Sequence, residues 1–94
     1  ALVKLGRARE AEPLLREAVA IREAALPPDH WLIAASRSAL GESLLAQGRI
    51  AEAAALLRPA YELLRRDRGE DAAVTRTAKA RLDLVESTGR GGAR

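Results

Sequence analysis

An internal repeat with a spacing of 42 residues is the feature that most constrains this 94-residue chain. When the sequence is shifted by that spacing, segment 6–18 aligns with segment 48–60, and eight of the thirteen aligned pairs are identical. Similarity at a fixed period of this length is typical of helical repeat proteins. The chain therefore holds one complete unit, at about residues 30–66, between two partial units. A third copy aligns with one residue deleted after Asp71, which pairs Ile33 with Val74 and Leu44 with Val85.

Each unit has the hydrophobic pattern of two amphipathic helices. Ile50, Ala53, Leu57 and Ala60 recur at spacings of three and four residues, which places them on one helix face. The pattern predicts helices near 1–5, 7–25, 30–47, 49–66 and 71–87, followed by a disordered tail at 88–94. Each helix before a tight turn is predicted to end at a glycine: Gly6, Gly48 and Gly89. The predicted fold class is all-α, with tandem antiparallel helical hairpins in a short solenoid that covers residues 1–87.

The inventory of reactive side chains argues against an enzyme. The chain has no cysteine and a single histidine, His30, so no thiolate nucleophile, disulfide or His-based metal cluster can form. We predict that His30 has a structural role at a helix start, and we predict no catalytic residue, no metal site and no cofactor. Apolar stretches are too short to cross a membrane.

The net charge of +3 raises nucleic acid as an alternative partner. Arginines are, however, interleaved with acidic residues along most of the sequence, and the cluster at Arg65, Arg66 and Arg68 surrounds Asp67. Glu62 precedes this cluster at helix-pair spacing. The sequence therefore favours a solvated helix end over a phosphate-binding patch. The preference for arginine over lysine, together with the alanine content, suggests a GC-rich bacterial genome.

The complete unit resembles the tetratricopeptide repeat family. The family keeps a leucine–glycine pair, large apolar residues, a glycine and alanines at fixed positions of each repeat. The residues at these positions of the complete unit are Leu40, Gly41, Leu44, Gly48, Ala53, Leu57 and Ala60. The segment from Gly6 to His30 is similar to the longer repeat of kinesin light chains. The resemblance covers about residues 1–90 and implies a right-handed solenoid that binds proteins and has no catalytic activity. Residues expected to pack between repeats are Gly6, Ala11, Leu15, Ala18, Leu40, Gly41, Leu44, Gly48, Ala53, Leu57 and Ala60.

The same resemblance implies a concave surface lined by the first helix of each hairpin. By matching position, the peptide-groove candidates are Ala35, Ser38, Glu42, Leu45 and Ala46, and the shifted third copy adds Arg76, Lys79, Asp83 and Glu86. Ser38 and Glu42 stand where the family's chaperone-binding clamp has other residues, and the chain has no asparagine. A receptor for chaperone tails is therefore not expected. A peptide of mixed charge suits this surface better than RNA does, and a spacer without a ligand is a further alternative.

Both aromatic residues are predicted to pack at repeat junctions. Trp31 is expected to pack against the end of the preceding helix near Leu26, and Tyr61 to lie in a junction core beside Ala60.

The sequence begins in the middle of a hydrophobic pattern, with Leu2, Val3 and Leu5. We therefore expect a piece of a larger bacterial signalling or regulatory protein, located in the cytoplasm. We also expect self-association of the isolated piece through this N-terminal edge.

Overall fold

A computed structural model describes the backbone of residues 5–92 and the side chains of residues 7–88. In this range the chain forms four helices and no strand: α1 (Leu5–Ala25), α2 (Trp31–Ala46), α3 (Ile50–Arg68) and α4 (Ala73–Gly92). The predicted all-α fold of helical hairpins is confirmed. No helix within the described range is long and apolar enough to span a membrane.

The helices pack in chain order, and α2 and α3 form the central pair. Helix α1 packs on α2, α2 on α3 and α3 on α4, and α2 also contacts α4. The first of two hydrophobic clusters joins all four helices and contains Val19, Leu40, Leu44, Ala53, Ala54, Leu57 and Val85. The second cluster joins α2, α3 and α4 and contains Ala34, Ala60, Leu64 and Ala78. Helix α3 is thus covered on two sides, by α2 and by α4.

The turn between α2 and α3 depends on the left-handed conformation of Gly48, whose φ is 79°. The Gly48 amide donates to the Leu45 carbonyl at 3.0 Å, and the Arg49 amide donates to the Leu44 carbonyl at 2.9 Å. These two bonds form a Schellman motif, which satisfies carbonyls at the end of α2 and reverses the chain. The predicted helix end at Gly48 is confirmed.

His30 caps the start of α2. Its Nδ1 accepts a hydrogen bond from the Leu32 amide at 3.1 Å, and its own backbone is extended, with φ −71° and ψ 135°. A side-chain acceptor at this position satisfies one of the amides that a helix start leaves without a partner. The structural role predicted for His30 is therefore confirmed.

Two predicted helix ends are wrong. Helix α1 begins at Leu5 and passes through Gly6, and α4 passes through Gly89 to Gly92, so residues 88–92 are helical instead of disordered. A glycine inside a helix costs only about 0.5–1 kcal/mol relative to alanine. At Gly48 the chain must reverse so that α3 packs on α2, and no such hairpin forms at Gly6 or Gly89 within the described part of the chain. Residues 1–4 and 93–94 lie outside it.

Candidate functional site

Arg81 of α4 connects the two helices that were expected to line the concave surface. Its Nη1 donates to Ser38 Oγ of α2 at 2.9 Å, and its Nη2 donates to Glu42 Oε1 at 3.2 Å. The Arg81 Nε is buried and has no hydrogen-bond partner. Helices α2 and α4 therefore form one continuous surface that carries both signs of charge.

The candidates on α2 separate into two groups. Ala35, Glu42 and Ala46 are half-buried and share one helix face, because they follow each other at seven and four residues. Ser38 is only 1% exposed and lies beneath Arg81, and Leu45 packs against the first hydrophobic cluster. Ser38 was therefore wrongly expected to present its side chain to a ligand, whereas Leu45, which is partly buried like the other three, stays a prediction.

The burial pattern of α4 follows the undivided spacing of 42 residues and not the shifted alignment. The buried α2 residues Ile33, Ser36 and Ser43 then align with Thr75, Ala78 and Val85, all of which are at most 2% exposed. In the shifted alignment, Ser43 would instead match Leu84, which is 57% exposed. The physical reason lies in the connection between α3 and α4. Helix α3 extends to Arg68, and because the loop after it is short, α4 begins at Ala73, which is 42 residues after Trp31, the first residue of α2.

This register moves the α4 candidates away from the expected concave surface. Arg76, Lys79, Asp83 and Glu86 are all exposed, and Asp83 now aligns with Gly41, through which α2 contacts α3. They form a polar face on α4, where Lys79 Nζ lies 3.4 Å from an Asp83 carboxylate oxygen.

Leu84 is the surface residue that sequence reasoning missed. In the undivided register it aligns with Glu42, and it lies one turn beyond Arg81 on α4. We call Ala35, Glu42, Ala46, Arg81 and Leu84 the α2–α4 surface. If α2 and α4 had been aligned at their first residues, Trp31 and Ala73, Leu84 would have matched Glu42 and been predicted as a surface residue. The length of the loop before α4 cannot, however, be read from a degenerate repeat.

The residues expected to pack between repeats differ between the complete unit and the first unit. In the complete unit all of them except the turn residue Gly48 are buried: Leu40, Gly41, Leu44, Ala53, Leu57 and Ala60. A Cβ at Gly41 would lie 2.7 Å from Leu57 Cγ, so this close helix contact requires glycine. Ala11, Leu15 and Ala18 of the first unit are only half-buried. The side-chain environment of Gly6 lies outside the described residues.

Glu12 connects α1 to the turn between α2 and α3. Its carboxylate accepts hydrogen bonds from Gln47 Nε2 at 2.9 Å, Arg16 Nε at 2.9 Å and Arg49 Nη1 at 2.7 Å. The bond from Gln47, followed by that from Arg16, lowers the pKa of Glu12 below its ordinary value. Arg49 also binds Glu52 through two nitrogens, which lowers the pKa of Glu52 and raises that of Arg49.

Local pairing accounts for much of the positive charge. Within residues 7–88, seven arginines lie within salt-bridge distance of a carboxylate: Arg16, Arg37, Arg49, Arg58, Arg65, Arg66 and Arg81. The hydrogen bond that Arg65 donates to the Glu62 carboxylate raises the pKa of Arg65, the first arginine of the predicted basic cluster. A continuous basic track along a groove, which nucleic acid requires, is not formed by arginines that are paired in this way.

The aromatic residues lie at the junction of α2 and α3. Trp31 and Tyr61 pack against the second hydrophobic cluster, and the Arg68 guanidinium carbon lies 4.5 Å from the centre of the Trp31 ring. Trp31 thus contacts the end of α3, and its packing against Leu26 stays a prediction from the sequence. No group of three or more potential metal ligands occurs in the part of the chain described here.

A groove of about 480 Å³ lies between α1 and α3 and has α2 at its base. Val19, Leu40 and Leu56 contribute its apolar surface, and the Arg37–Glu23 ion pair lies at its rim. Arg16 also lines the groove and is paired with Glu12, so the charged residues of its lining are engaged in ion pairs.

The chain is similar to a known protein family. A model described as "Tetratricopeptide repeat" matches residues 1–66. No curated protein and no solved structure matches the chain.

Proposed function

Because the chain belongs to the tetratricopeptide repeat family, whose members are generally protein–protein interaction modules, we propose that it is a non-catalytic scaffold that binds a peptide segment of another protein. The proposed binding site is the α2–α4 surface. A bacterial origin, a cytoplasmic location and a signalling role in a larger protein stay predictions from the sequence.

The observation that carries this proposal is the contact of Arg81 with Glu42 beside the exposed Leu84. Arg81 holds the two helices together, while the Glu42 side chain keeps 44% of its exposed area and can still accept hydrogen bonds. Leu84 supplies an apolar contact on the same surface. Small side chains at Ala35 and Ala46 leave room for a backbone to approach α2. A peptide that combines a cationic and an aliphatic residue complements these groups.

The test begins with selection of binders from a displayed library of random peptides. For a selected peptide, Glu42→Lys and Leu84→Asp should each reduce affinity at least about tenfold, because each removes a charge pair or an apolar anchor. Glu62→Lys is the control, since this carboxylate is also exposed, at 62%, and also pairs with an arginine, but lies on α3. Peptides whose affinity is unaffected by both surface variants would contradict the assignment of this surface.

Nucleic acid binding is the alternative that the net charge raised, and a salt titration separates it from peptide binding. With labelled single-stranded and duplex DNA as probes, we expect no submicromolar binding at physiological ionic strength. Submicromolar affinity that falls steeply with salt would contradict the peptide-scaffold proposal, because such a slope reports release of counterions from phosphates.

A further inference from the structure

Glu42 and Arg81 are the two charged residues of the α2–α4 surface, and they differ in what they leave free for a peptide. The Arg81 side chain is 19% exposed, and its Nη1 donates to Ser38 Oγ at 2.9 Å. The Glu42 side chain is 44% exposed, and its Oε1 accepts from Arg81 Nη2 at 3.2 Å. The Glu42 carboxylate is therefore the more accessible of the two charged groups.

Arg81 is held in this position by its surroundings. Ser38, which accepts from Nη1, is 1% exposed and lies beneath the guanidinium. The Arg81 Nε is buried without a hydrogen-bond partner, so the guanidinium is already partly desolvated. If Arg81 left Glu42, a partly buried cation would lose its ion-pair partner, which costs free energy. We therefore expect Arg81 to stay bonded to Oε1 when a peptide binds.

The remaining hydrogen-bonding capacity of Glu42 lies mainly at Oε2. Among the described residues, Arg81 is the one partner found for this carboxylate. An arginine that pairs with a carboxylate through two nitrogens uses both carboxylate oxygens at once. Because Arg81 already occupies Oε1, an arginine of a peptide finds only one fully free oxygen. Its guanidinium would also lie close to that of Arg81, and the two positive charges repel each other.

A lysine side chain suits a single free oxygen. Its ammonium group is a compact charge that can donate one hydrogen bond to Oε2 from the side away from Arg81. Its aliphatic stem can lie along apolar surface while the ammonium stays near water. The half-buried Ala46 lies one turn beyond Glu42 on α2 and offers such a surface.

We propose that Arg81 is a positioning residue that makes the α2–α4 surface select lysine over arginine in the bound peptide. Arg81 acts through Glu42, because it occupies one carboxylate oxygen and leaves the other to the lysine ammonium. The proposal rests on the function proposed above, since it names the cationic residue of the peptide that this surface binds.

The test uses synthetic peptides that differ in one residue. Peptides are selected on the wild-type chain from a displayed random library, and those whose binding is weakened by Glu42→Lys are kept. Each is synthesised with lysine, arginine or uncharged norleucine at its cationic position, and affinity is measured by fluorescence anisotropy. The lysine form should bind at least about threefold more tightly than the arginine form, because the arginine cannot pair through both nitrogens and lies nearer to Arg81. The norleucine form should bind more weakly than both.

A substitution of Arg81 tests whether this residue is the cause. Arg81→Met removes the ion pair and keeps a long side chain, so both oxygens of Glu42 become free. The arginine form of each peptide should then bind at least as tightly as the lysine form. Ser38→Ala is the matched control, because it removes the other bond of Arg81 across α2 and α4 but leaves the bond to Glu42, and it should retain the preference for lysine. Circular dichroism checks that both variants fold, and the wild-type measurement is decisive without them.

On the wild-type chain, equal affinity of the lysine and arginine forms, tighter binding of the arginine form, or undiminished binding of the norleucine form would overturn the proposal. A preference for lysine that Arg81→Met leaves unchanged, or that Ser38→Ala abolishes, would also overturn it, because the preference would then not come from Arg81 at Oε1. All these results leave peptide binding to the surface intact. A selection that yields no peptide weakened by Glu42→Lys would overturn the proposed function as well, so the two failures are distinguishable.

Discussion

Helices α1 and α3 occupy the same position in successive repeats, yet their equivalent residues have different surroundings. Leu57 and Ala60 of α3 are at most 3% exposed, whereas their counterparts Leu15 and Ala18 are half-buried. Helix α3 lies between α2 and α4, whereas α1 contacts only α2 within the described range. The comparison shows that the repeat sequence specifies a helix with two faces that can pack against other helices. Which of these faces is buried depends on the neighbouring helices.

Sequence differences between the two helices follow this difference in surroundings. The position of Leu64, which is fully buried in α3, is taken by Arg22 in α1, and the position of Ala54 is taken by Glu12. Arg22 Nη1 donates to the Leu32 carbonyl at 2.9 Å and to Ser36 Oγ at 2.7 Å. The interface of α1 with α2 therefore relies on hydrogen bonds where the interface of α3 with α4 relies on apolar contacts.

The largest expected effect is the loss of the fully buried leucine of α3. Leu57→Ala should lower the free energy of unfolding by about 2–5 kcal/mol, the range for truncation of a large aliphatic residue in a core. Leu15→Ala should cost less than half as much, because its side chain is only half-buried. Urea unfolding followed by circular dichroism measures both. Equal losses would contradict the claim that the two helices differ in burial.

Arg22 should contribute less than Leu57 but more than an exposed arginine. Arg22→Ala removes two hydrogen bonds that join α1 to α2, and we expect a loss of about 1–2 kcal/mol in the free energy of unfolding. Arg16→Ala is the matched control on the same helix, because Arg16 bonds only to Glu12 at the surface. The comparison of polar and apolar interfaces fails if both substitutions have the same effect.

The starts of α2 and α4 extend the comparison, since only α2 has a side-chain cap. His30→Ala should cost about 1 kcal/mol, the typical value of an N-cap bond, and His30→Asp should restore stability because a carboxylate accepts the same amide. Ala72 is the repeat counterpart of His30 and has no capping side chain, so Ala72→Asp should stabilise the chain. Thermal unfolding measures these changes, and a His30→Asp variant as unstable as His30→Ala would exclude a capping role.

Glu12 gives the smallest effect and the one that depends on pH. Because its pKa is lowered in the folded chain, its contribution to stability is present above its ordinary pKa and is lost as the pH falls through the folded value. Glu12→Gln should therefore destabilise the chain at neutral pH, and the difference from wild type should vanish in acid. Glu17→Gln on the same helix is the control for an exposed carboxylate. A difference that persists in acid would contradict this account.

The fold was largely predictable because its signals are local. Apolar residues that recur every three or four positions specify the helices. Gly48 specifies the chain reversal after α2, because this turn needs a residue in the left-handed conformation. The predicted helix ends at Gly6 and Gly89 were wrong for one reason. Both glycines have sequence surroundings like those of Gly48, but no described helix forms a hairpin at either of them. The predicted register of α4 was wrong for a related reason. Helix α3 is one residue longer than the repeat predicts and the loop after it is one residue shorter, and the sequence alone does not show that these two changes compensate.

The candidate surface was less predictable than the fold. Family position predicted Glu42 and the small residues of α2 as surface candidates, but it could not show that Arg81 covers Ser38. That fact depends on how α4 packs against α2, which is a tertiary contact between residues far apart in sequence.

Native-state hydrogen exchange tests the central comparison most directly, because it reports local stability along each helix. We predict that amides at 53–64 of α3 exchange more slowly than their counterparts at 11–22 of α1. Equal protection of α1 and α3 would contradict the claim that, within the described range, α3 packs between two helices and α1 against one.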